Sequence, residues 1–286
     1  MGMTSAHPHR SVLYVPAANE KALAKIPDLP ADAIILDLED AVAPDQKAAA
    51  RNSLVRFFEK RPNKRLIIRI NAMSTPWGVD DLAAARACKP DAILLPKVDS
   101  PRDILETDDA LDEGDAPKRI RLWAMIETPK AMMNIGAIAG LGRDRAARLA
   151  CLVAGTNDLA KDTGIRMTPD RRYLMPALSQ MVMAARAGNL TVLDGVSNNF
   201  RDLDAFAVEC REASNMGFDG KTLIHPAQID PANSAFAPSD EDVAQAQAIV
   251  DAFAADPTQG VIQINGRMIE RLHLAQAEAL LAARID

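Results

Sequence analysis

The sequence predicts an α/β protein, a closed barrel of eight parallel strands alternating with helices, followed by a C-terminal helical extension. Three observations carry this prediction. Short runs rich in Val, Ile and Leu recur eight times, each too brief for a helix and too continuous for a strand with one wet face. Segments of helical composition separate them, and strands paired in parallel through such crossovers have the TIM (β/α)8 barrel as their closed solution. No Gly-x-Gly-x-x-Gly turn follows any run, and polar residues end many runs rather than one switch point, which weighs against an open doubly wound sheet.

The runs are residues 11–15, 33–38, 66–70 and 92–96, then 120–126, 149–154, 190–193 and 221–224. A hydroxyl residue before proline marks helix starts at Thr75-Pro76, Ser100-Pro101, Thr128-Pro129 and Thr168-Pro169. The side-chain oxygen there accepts from free backbone N–H groups, and proline suits the first helical position. Residues 113–118 read as a solvated loop before the fifth strand. Residues 1–230 are expected to form the barrel and residues 231–286 a helical extension that packs against the barrel or a neighbouring subunit. Ser239 with Asp242 predicts a capping box for a helix striped by Val243, Ala246, Val250 and Phe253, which Asp256-Pro257 and Gly260 end. A last helix from about Gly266 places Met268, Leu272, Ala275 and Ala279 on one face, and nothing structural in it requires the charge of Glu270.

At 286 residues the chain is either two average domains or one large barrel. Apolar residues at 48% and charged residues at 25% exclude disorder, collagen and coiled coil as descriptions of the whole. With 33 basic against 39 acidic residues the net charge is −6, which opposes attraction to a polyanion, so no nucleic-acid partner is expected. Cys88, Cys151 and Cys210 form no Cys-x-x-Cys pair, as fits inert thiols in a reducing, cytoplasmic setting. Residues 1–10 lack the apolar core of a secretory signal, and no window approaches the ~18 consecutive apolar residues of a membrane span, so no membrane partner is expected.

In a parallel barrel the carboxyl ends of the strands converge on one mouth, so their terminal polar residues belong together. They are Asp37, Glu39 and Asp40 on the second run, Arg69 and Asn71 on the third, Lys97 on the fourth, Glu127 on the fifth, Asn157 and Asp158 on the sixth, Asp194 on the seventh and His225 on the eighth. Glu127 and Asp158 follow adjacent strands at equivalent positions. Two carboxylates there suit a hard cation such as Mg²⁺, with Mn²⁺ as a substitute, and Gly155 lets backbone approach it. Singly, each acid reads equally well as a helix-terminal or loop-capping residue; jointly they favour the metal. Arg69 lies inside an apolar run, where a guanidinium requires an anion, either substrate or Asp37. Lys97 has the same two readings, with Glu39 as its structural mate. Asp37 and Glu39 share a face and either approach a metal through water or neutralise Arg69 and Lys97. His225 reads as a structural histidine, and Arg10, Lys21 and Lys25 as a solvated face or a phosphate contact.

Six ordered motifs span nearly the whole chain: Leu36-Asp-Leu-Glu-Asp-Ala-Val42, Leu66-Ile-Ile-Arg-Ile-Asn71, Leu94-Leu-Pro-Lys-Val98, Ile126-Glu-Thr-Pro129, Gly155-Thr-Asn-Asp-Leu159, and Gly217-Phe-Asp-Gly-Lys221 with Ile224-His-Pro-Ala-Gln228. Together they resemble the citrate lyase β-subunit-like branch of the HpcH/HpaI aldolase superfamily, which includes malyl-CoA and citramalyl-CoA lyases, malyl-CoA thioesterases and the citrate lyase β-subunit. The resemblance implies a TIM barrel, a homotrimer or hexamer, and a C-terminal lid reaching a neighbour's active site. It implies Mg²⁺ on Glu127 and Asp158, Glu127 and Arg69 at the substrate, Arg69 polarising its oxygen, Asp37 and Glu39 lining the site, and Lys97 closing its edge. One departure stands out. The tail of the acyl-CoA lyases usually reads Gly-Lys/Arg-Met-Ile/Val-Asp, with the aspartate implicated in proton transfer to the neighbouring site, whereas Gly266-Arg267-Met268-Ile269 is followed here by Glu270.

The reaction this implies is reversible carbon–carbon cleavage of a 3-hydroxyacyl-CoA to acetyl-CoA and a 2-oxo acid, with Glu270 of an adjacent subunit protonating the thioester enolate. Three alternatives use similar residues: an aldolase acting on free 2-oxo acids, a malyl-CoA thioesterase, and a carrier-dependent citrate lyase β-subunit without activity of its own.

Overall fold

The computed structural model describes residues 9–144 and 146–282; most of the N-terminal segment 1–10 and the last four residues of the extension lie outside the described residues. All eight apolar runs form strands: β1 Ser11–Pro16, β2 Ala33–Asp37, β3 Arg65–Arg69, β4 Ala92–Leu95, β5 Arg121–Ile126, β6 Leu149–Ala154, β7 Thr191–Asp194 and β8 Gly220–Leu223. They pair in parallel in sequence order, and β8 returns to β1, closing a TIM-type barrel. The helices between them are α1 Glu20–Leu23, α2 Lys47–Glu59, α3 Gly78–Cys88, α4 Pro101–Glu113, α5 Pro129–Gly140, α6 Thr156–Thr163, α7 Met175–Gly188 and α8 Leu203–Met216, with α9 Ile229–Phe236 packing back on α8, β1 and β8.

The runs are continuous because both faces of each strand are covered. Inward side chains such as Ala33, Ile35, Ile67, Leu94, Trp123, Met125, Val153 and Leu193 fill the barrel. Their neighbours Ile34, Leu36, Ile68, Ile93, Leu122, Leu152 and Val192 meet the helices. Side chains alternate along a strand, so this parity decides which terminal polar residues face the mouth.

Two of the four predicted helix starts are as expected. Ser100 caps α4 in a capping box with Asp103, and the Thr128 hydroxyl accepts from Ala131 N–H at 3.0 Å above α5. The other two Thr-Pro pairs sit in turns instead. Thr75 bonds back to Ala72, and α3 begins only at Gly78, where a Cβ would lie 2.5 Å from the Ala72 carbonyl oxygen. Arg171 N–H donates to Thr168 C=O, and α7 begins at Met175. Hydroxyl-Pro dipeptides serve turns as well as caps, and tertiary packing decides between them.

The C-terminal segment forms a small lobe. Helix α10, Asp240–Ala255, starts at the predicted Ser239–Asp242 capping box. The expected single last helix is instead a hairpin, β9 Val261–Ile264 and β10 Arg267–Glu270, followed by α11 Arg271–Ala282. The turn is Asn265-Gly266, with φ of 51° and 77°, the left-handed pair favoured in two-residue hairpins. Inside the lobe, Ala246, Ile249, Phe253, Ile269 and Ala277 form their own core. The stripe expected to pack therefore faces outward: Met268 is 67% and Leu272 54% exposed, and Ala275 and Ala279 are exposed as well.

Candidate active site

Parity brings three side chains and one glycine to the mouth. Asp37 follows the inward Ala33 and Ile35, Arg69 follows Ile67, Glu127 follows Trp123 and Met125, and Gly155 follows Val153. Pro16, Asp37 and Arg69 lie in one row of the barrel, since β1 pairs Pro16 with Asp37 and β3 pairs Arg69 with Asp37.

That register produces a buried fork. Arg69 Nε donates to Asp37 Oδ1 at 2.7 Å and NH2 donates to Oδ2 at 2.6 Å. Asp37 also accepts from the backbone N–H groups of Glu39 and Ala41, so each of its oxygens serves both the guanidinium and the turn above. Of the two partners the sequence left open for Arg69, the structure contains Asp37. Glu39 Oε2 lies 2.8 Å from Arg69 NH1 but off the line of a hydrogen bond, so this buried oxygen keeps an unused lone pair. Burial first, then the nearby Asp40, Glu127 and Asp37, push the Glu39 carboxyl up to about 8 against the pull of Arg69. The folded state therefore holds a proton on Glu39 that the unfolded chain releases near 4.5, and stability of the metal-free protein falls as pH rises through this window. Glu39→Gln is expected to flatten that fall in melting temperature between pH ~5 and ~8; an unchanged slope would contradict it.

The second cluster lies on the β4–β6 side. Glu127 is 1% exposed, and its Oε1 accepts from Lys97 N–H at 2.7 Å. Burial raises its pKa, and Lys97 opposes that rise. Lys97 adopts a left-handed φ of 52°, which turns its ammonium back to 2.5 Å from Asp158 Oδ1 and 3.7 Å from Glu127 Oε1. Its mates are thus these two acids rather than Glu39. Asp158 is not at a strand end as Glu127 is, because β6 stops at Ala154 and α6 begins at Thr156, placing Asp158 in the first helical turn. Gly155 joins the two, and a Cβ there would lie 2.5 Å from Glu127 Oε2 and closer still to Glu127 Cβ. Gly155→Ala is expected to displace Glu127 and lower activity on the order of 10²-fold, with a fall in melting temperature, because the added Cβ meets the stem of a buried side chain. Unchanged kinetics would show that the approach is not required.

Beside Lys97 a cavity of about 350 Å³ opens between the loops after β3 and β4, lined by Asn71, Met73, Ser74, Asp103 and Thr107 among others. Beneath it, the Lys47 ammonium donates to Leu38 C=O, Glu39 C=O and Asn71 Oδ1 at 2.8 to 2.9 Å, and Asn71 in turn donates to Asp81. These bonds hold the turn that carries Glu39. The sequence reading missed Lys47, although a cation opening a helix, against the dipole, signals a held residue. It also missed Tyr14, whose inward parity on the first run was legible.

Other strand-end residues are structural. Asp194 has outward parity and is buried with Arg171 and Lys221, each within 3.0 Å. His225 Nδ1 accepts from Ala227 N–H, and its ring stacks on Phe200. Asn157 pairs with Asn198 across the loops. Arg10 precedes β1, at the opposite end of the barrel, and pairs with Asp32; Lys21 and Lys25 are exposed. Glu270 ends β10, where its N–H donates to His273 Nδ1, and among the described residues it shares no hydrogen bond or ion pair with the mouth.

The donor set fits a hard divalent cation. Five carboxylates, Asp37, Glu39, Asp40, Glu127 and Asp158, face two cations, Arg69 and Lys97. The Lys97 ammonium occupies the place between Glu127 and Asp158 where positive charge is needed. Among the described residues no three His, Cys, Asp or Glu side chains form a metal cage, so an ion on two carboxylates would keep positions for water or substrate oxygens, as Mg²⁺ commonly does.

A closed parallel barrel with ionised side chains gathered at the carboxyl ends of its strands is the arrangement of a barrel enzyme. Comparison with known proteins narrows this. A sequence model of the HpcH/HpaI aldolase/citrate lyase family matches residues 10–226. A (3S)-malyl-CoA thioesterase of Cereibacter sphaeroides is 45% identical over 97% of this chain and 95% of its own. The mitochondrial citramalyl-CoA lyase of Rattus norvegicus is 31% identical over 96% of this chain and 85% of its own. The crystal structure of CitE from Mycobacterium tuberculosis in complex with magnesium, acetoacetate and coenzyme A superposes with a TM-score of 0.80 at 29% identity, covering 98% of this chain and 99% of that one. The chain belongs to the HpcH/HpaI aldolase/citrate lyase family and is an enzyme of the carbon–carbon lyase type.

Proposed function

We propose that this chain is a Mg²⁺-dependent lyase that cleaves or forms a 3-hydroxyacyl-CoA of malyl-CoA or citramalyl-CoA type, with acetyl-CoA and a 2-oxo acid on the other side. The observation that carries this reading is the adjacency of the Arg69–Asp37 fork to the Glu127–Lys97–Asp158 cluster in one mouth. Glu127 and Asp158 would hold Mg²⁺ (or Mn²⁺), which supplies Lewis-acid polarisation of substrate oxygens when bound. Arg69, held by Asp37, stabilises negative charge on the oxygen that becomes the oxo group. In the metal-free protein Glu39 carries its proton near neutral pH and does not compete as a full charge for the Arg69 NH1 donors. Lys97 closes the edge of the site, and its ammonium would have to leave Glu127 and Asp158 for these two carboxylates to hold the ion. The substrate hydroxyl gives its proton to water at the mouth and its O–H electron pair becomes the C=O of the 2-oxo acid, while the pair of the breaking bond between that carbon and the carbon next to the thioester remains on the acetyl-CoA fragment. A proton from Glu270 of a neighbouring subunit completes that fragment.

This last step gives the extension a role as a lid. The outward Met268 and Leu272 support a homotrimer or hexamer in which residues 231–286 of one copy cover the barrel, residues 1–230, of the next. Unpaired cysteines, and the lack among described residues of a helix long and apolar enough to cross a membrane, are consistent with a cytoplasmic location. Thioester hydrolysis is the second reading, favoured by the relative at 45% identity.

One coupled assay separates them. With Mg²⁺ and malyl-CoA or citramalyl-CoA, the lyase forms a 2-oxo acid, trapped as a hydrazone, with no free thiol. A thioesterase releases CoA thiol instead, and an aldolase turns over the free acids. Glu270→Asp is expected to keep or raise lyase turnover; a collapse would mean that the tail is fitted to glutamate. No turnover of any CoA ester would overturn the proposal.

A further inference from the structure

We propose that Tyr14 is a positioning residue for this reaction, its ring fixing the plane of the Arg69 guanidinium; the inference rests on the reading above that Arg69 acts on substrate. The Arg69 carbon lies 4.7 Å from the centre of the Tyr14 ring. The bonds from Nε and NH2 to Asp37 lie along a single edge of the guanidinium. An edge held this way is free to rock about the line joining its two bonds, which would swing NH1 out of line. Contact on a face stops that motion, and the Tyr14 ring supplies it with the attraction of a cation to an aromatic face.

The ring is itself fixed. Tyr14 points into the barrel on the parity of Val12, two residues before Pro16, whose register partner is Asp37. Its hydroxyl meets Met125 Sδ at 3.9 Å, and Arg69 NH1 meets the same sulfur at 3.8 Å. A thioether is a weak acceptor, so the hydroxyl contributes little to holding the ring. Burial also keeps the phenol protonated. The functional part is therefore the face of the ring, and phenylalanine should replace it.

Three variants test this in the full-length enzyme. Tyr14→Phe is expected to keep kcat and KM within about twofold of wild type. Tyr14→Leu is expected to lower kcat roughly tenfold with KM little changed, because NH1 is misplaced for the charge that develops during reaction. Without substrate, phenylglyoxal should label Arg69, followed by peptide mass spectrometry, at least about threefold faster in Tyr14→Leu than in wild type or Tyr14→Phe. Melting temperature controls for folding, and Tyr14→Met replaces the leucine variant if that one does not fold. Wild-type kinetics and labelling in the leucine variant would overturn the proposal, as would a phenylalanine variant as impaired as leucine. If the wild type turns over no CoA ester, the labelling result still decides the role of Tyr14, and only the reaction assignment fails.

Discussion

Glu127→Gln should abolish Mg²⁺-dependent turnover while leaving the barrel folded. The substitution is nearly isosteric, and the amide oxygen can still accept from Lys97 N–H, the hydrogen bond that Oε1 makes at 2.7 Å. Only the charge is removed. A neutral ligand leaves Asp158 as the one carboxylate of the pair, and Lys97 then neutralises it at 2.5 Å. Loss of an outer partner of a metal ligand already costs ~10- to 100-fold in affinity or activity, so loss of the ligand's own charge should exceed about 10²-fold. Calorimetric Mg²⁺ titration, turnover and thermal melting measured together separate the causes. Wild-type Mg²⁺ affinity in this variant would remove Glu127 from the metal site.

Arg69→Lys should lower kcat by roughly 10²- to 10³-fold, the usual cost of removing one donor aimed at a developing oxyanion. Lysine retains the positive charge opposite Asp37, which methionine would not. An unpaired Asp37 buried at 1% exposure would cost about 3–5 kcal/mol of stability and confuse folding with chemistry. What lysine lacks is the planar fork, so it cannot bind both Asp37 oxygens and present a further donor in fixed geometry. Substrate affinity should change less than kcat. A lysine variant with wild-type kcat would mean that charge alone suffices.

The barrel was legible because fully buried strands leave continuous apolar runs, and all eight runs became strands with ends shifted by at most one residue. Arg69 and Asp37 were legible for the same reason, since a charge inside such a run requires a partner of inward parity. The rest depends on information that local sequence does not carry. Asp158 sits on a helix because β6 passes into α6 through Gly155 alone. Lys97 turns toward Asp158 through a left-handed backbone that lysine seldom adopts. Asp194 and Arg69 both end as buried ion-paired residues, yet one faces the helices and the other the mouth, and a one-residue difference in parity separates them. The Asn265-Gly266 hairpin was readable from its turn residues, but the apolar spacing around it also matched a helix.

Strand parity also sets how this scaffold can change over time. Deleting one residue between Leu66 and Arg69 would rotate the guanidinium into the helical jacket, so the staves tolerate substitution but not altered length. Beyond the turns that carry Glu39, Lys97 and Asp158, the rim loops have no such parity constraint. Insertions in the outer rim segments would therefore change the walls of the mouth without turning Asp37, Arg69 or Glu127 away from it.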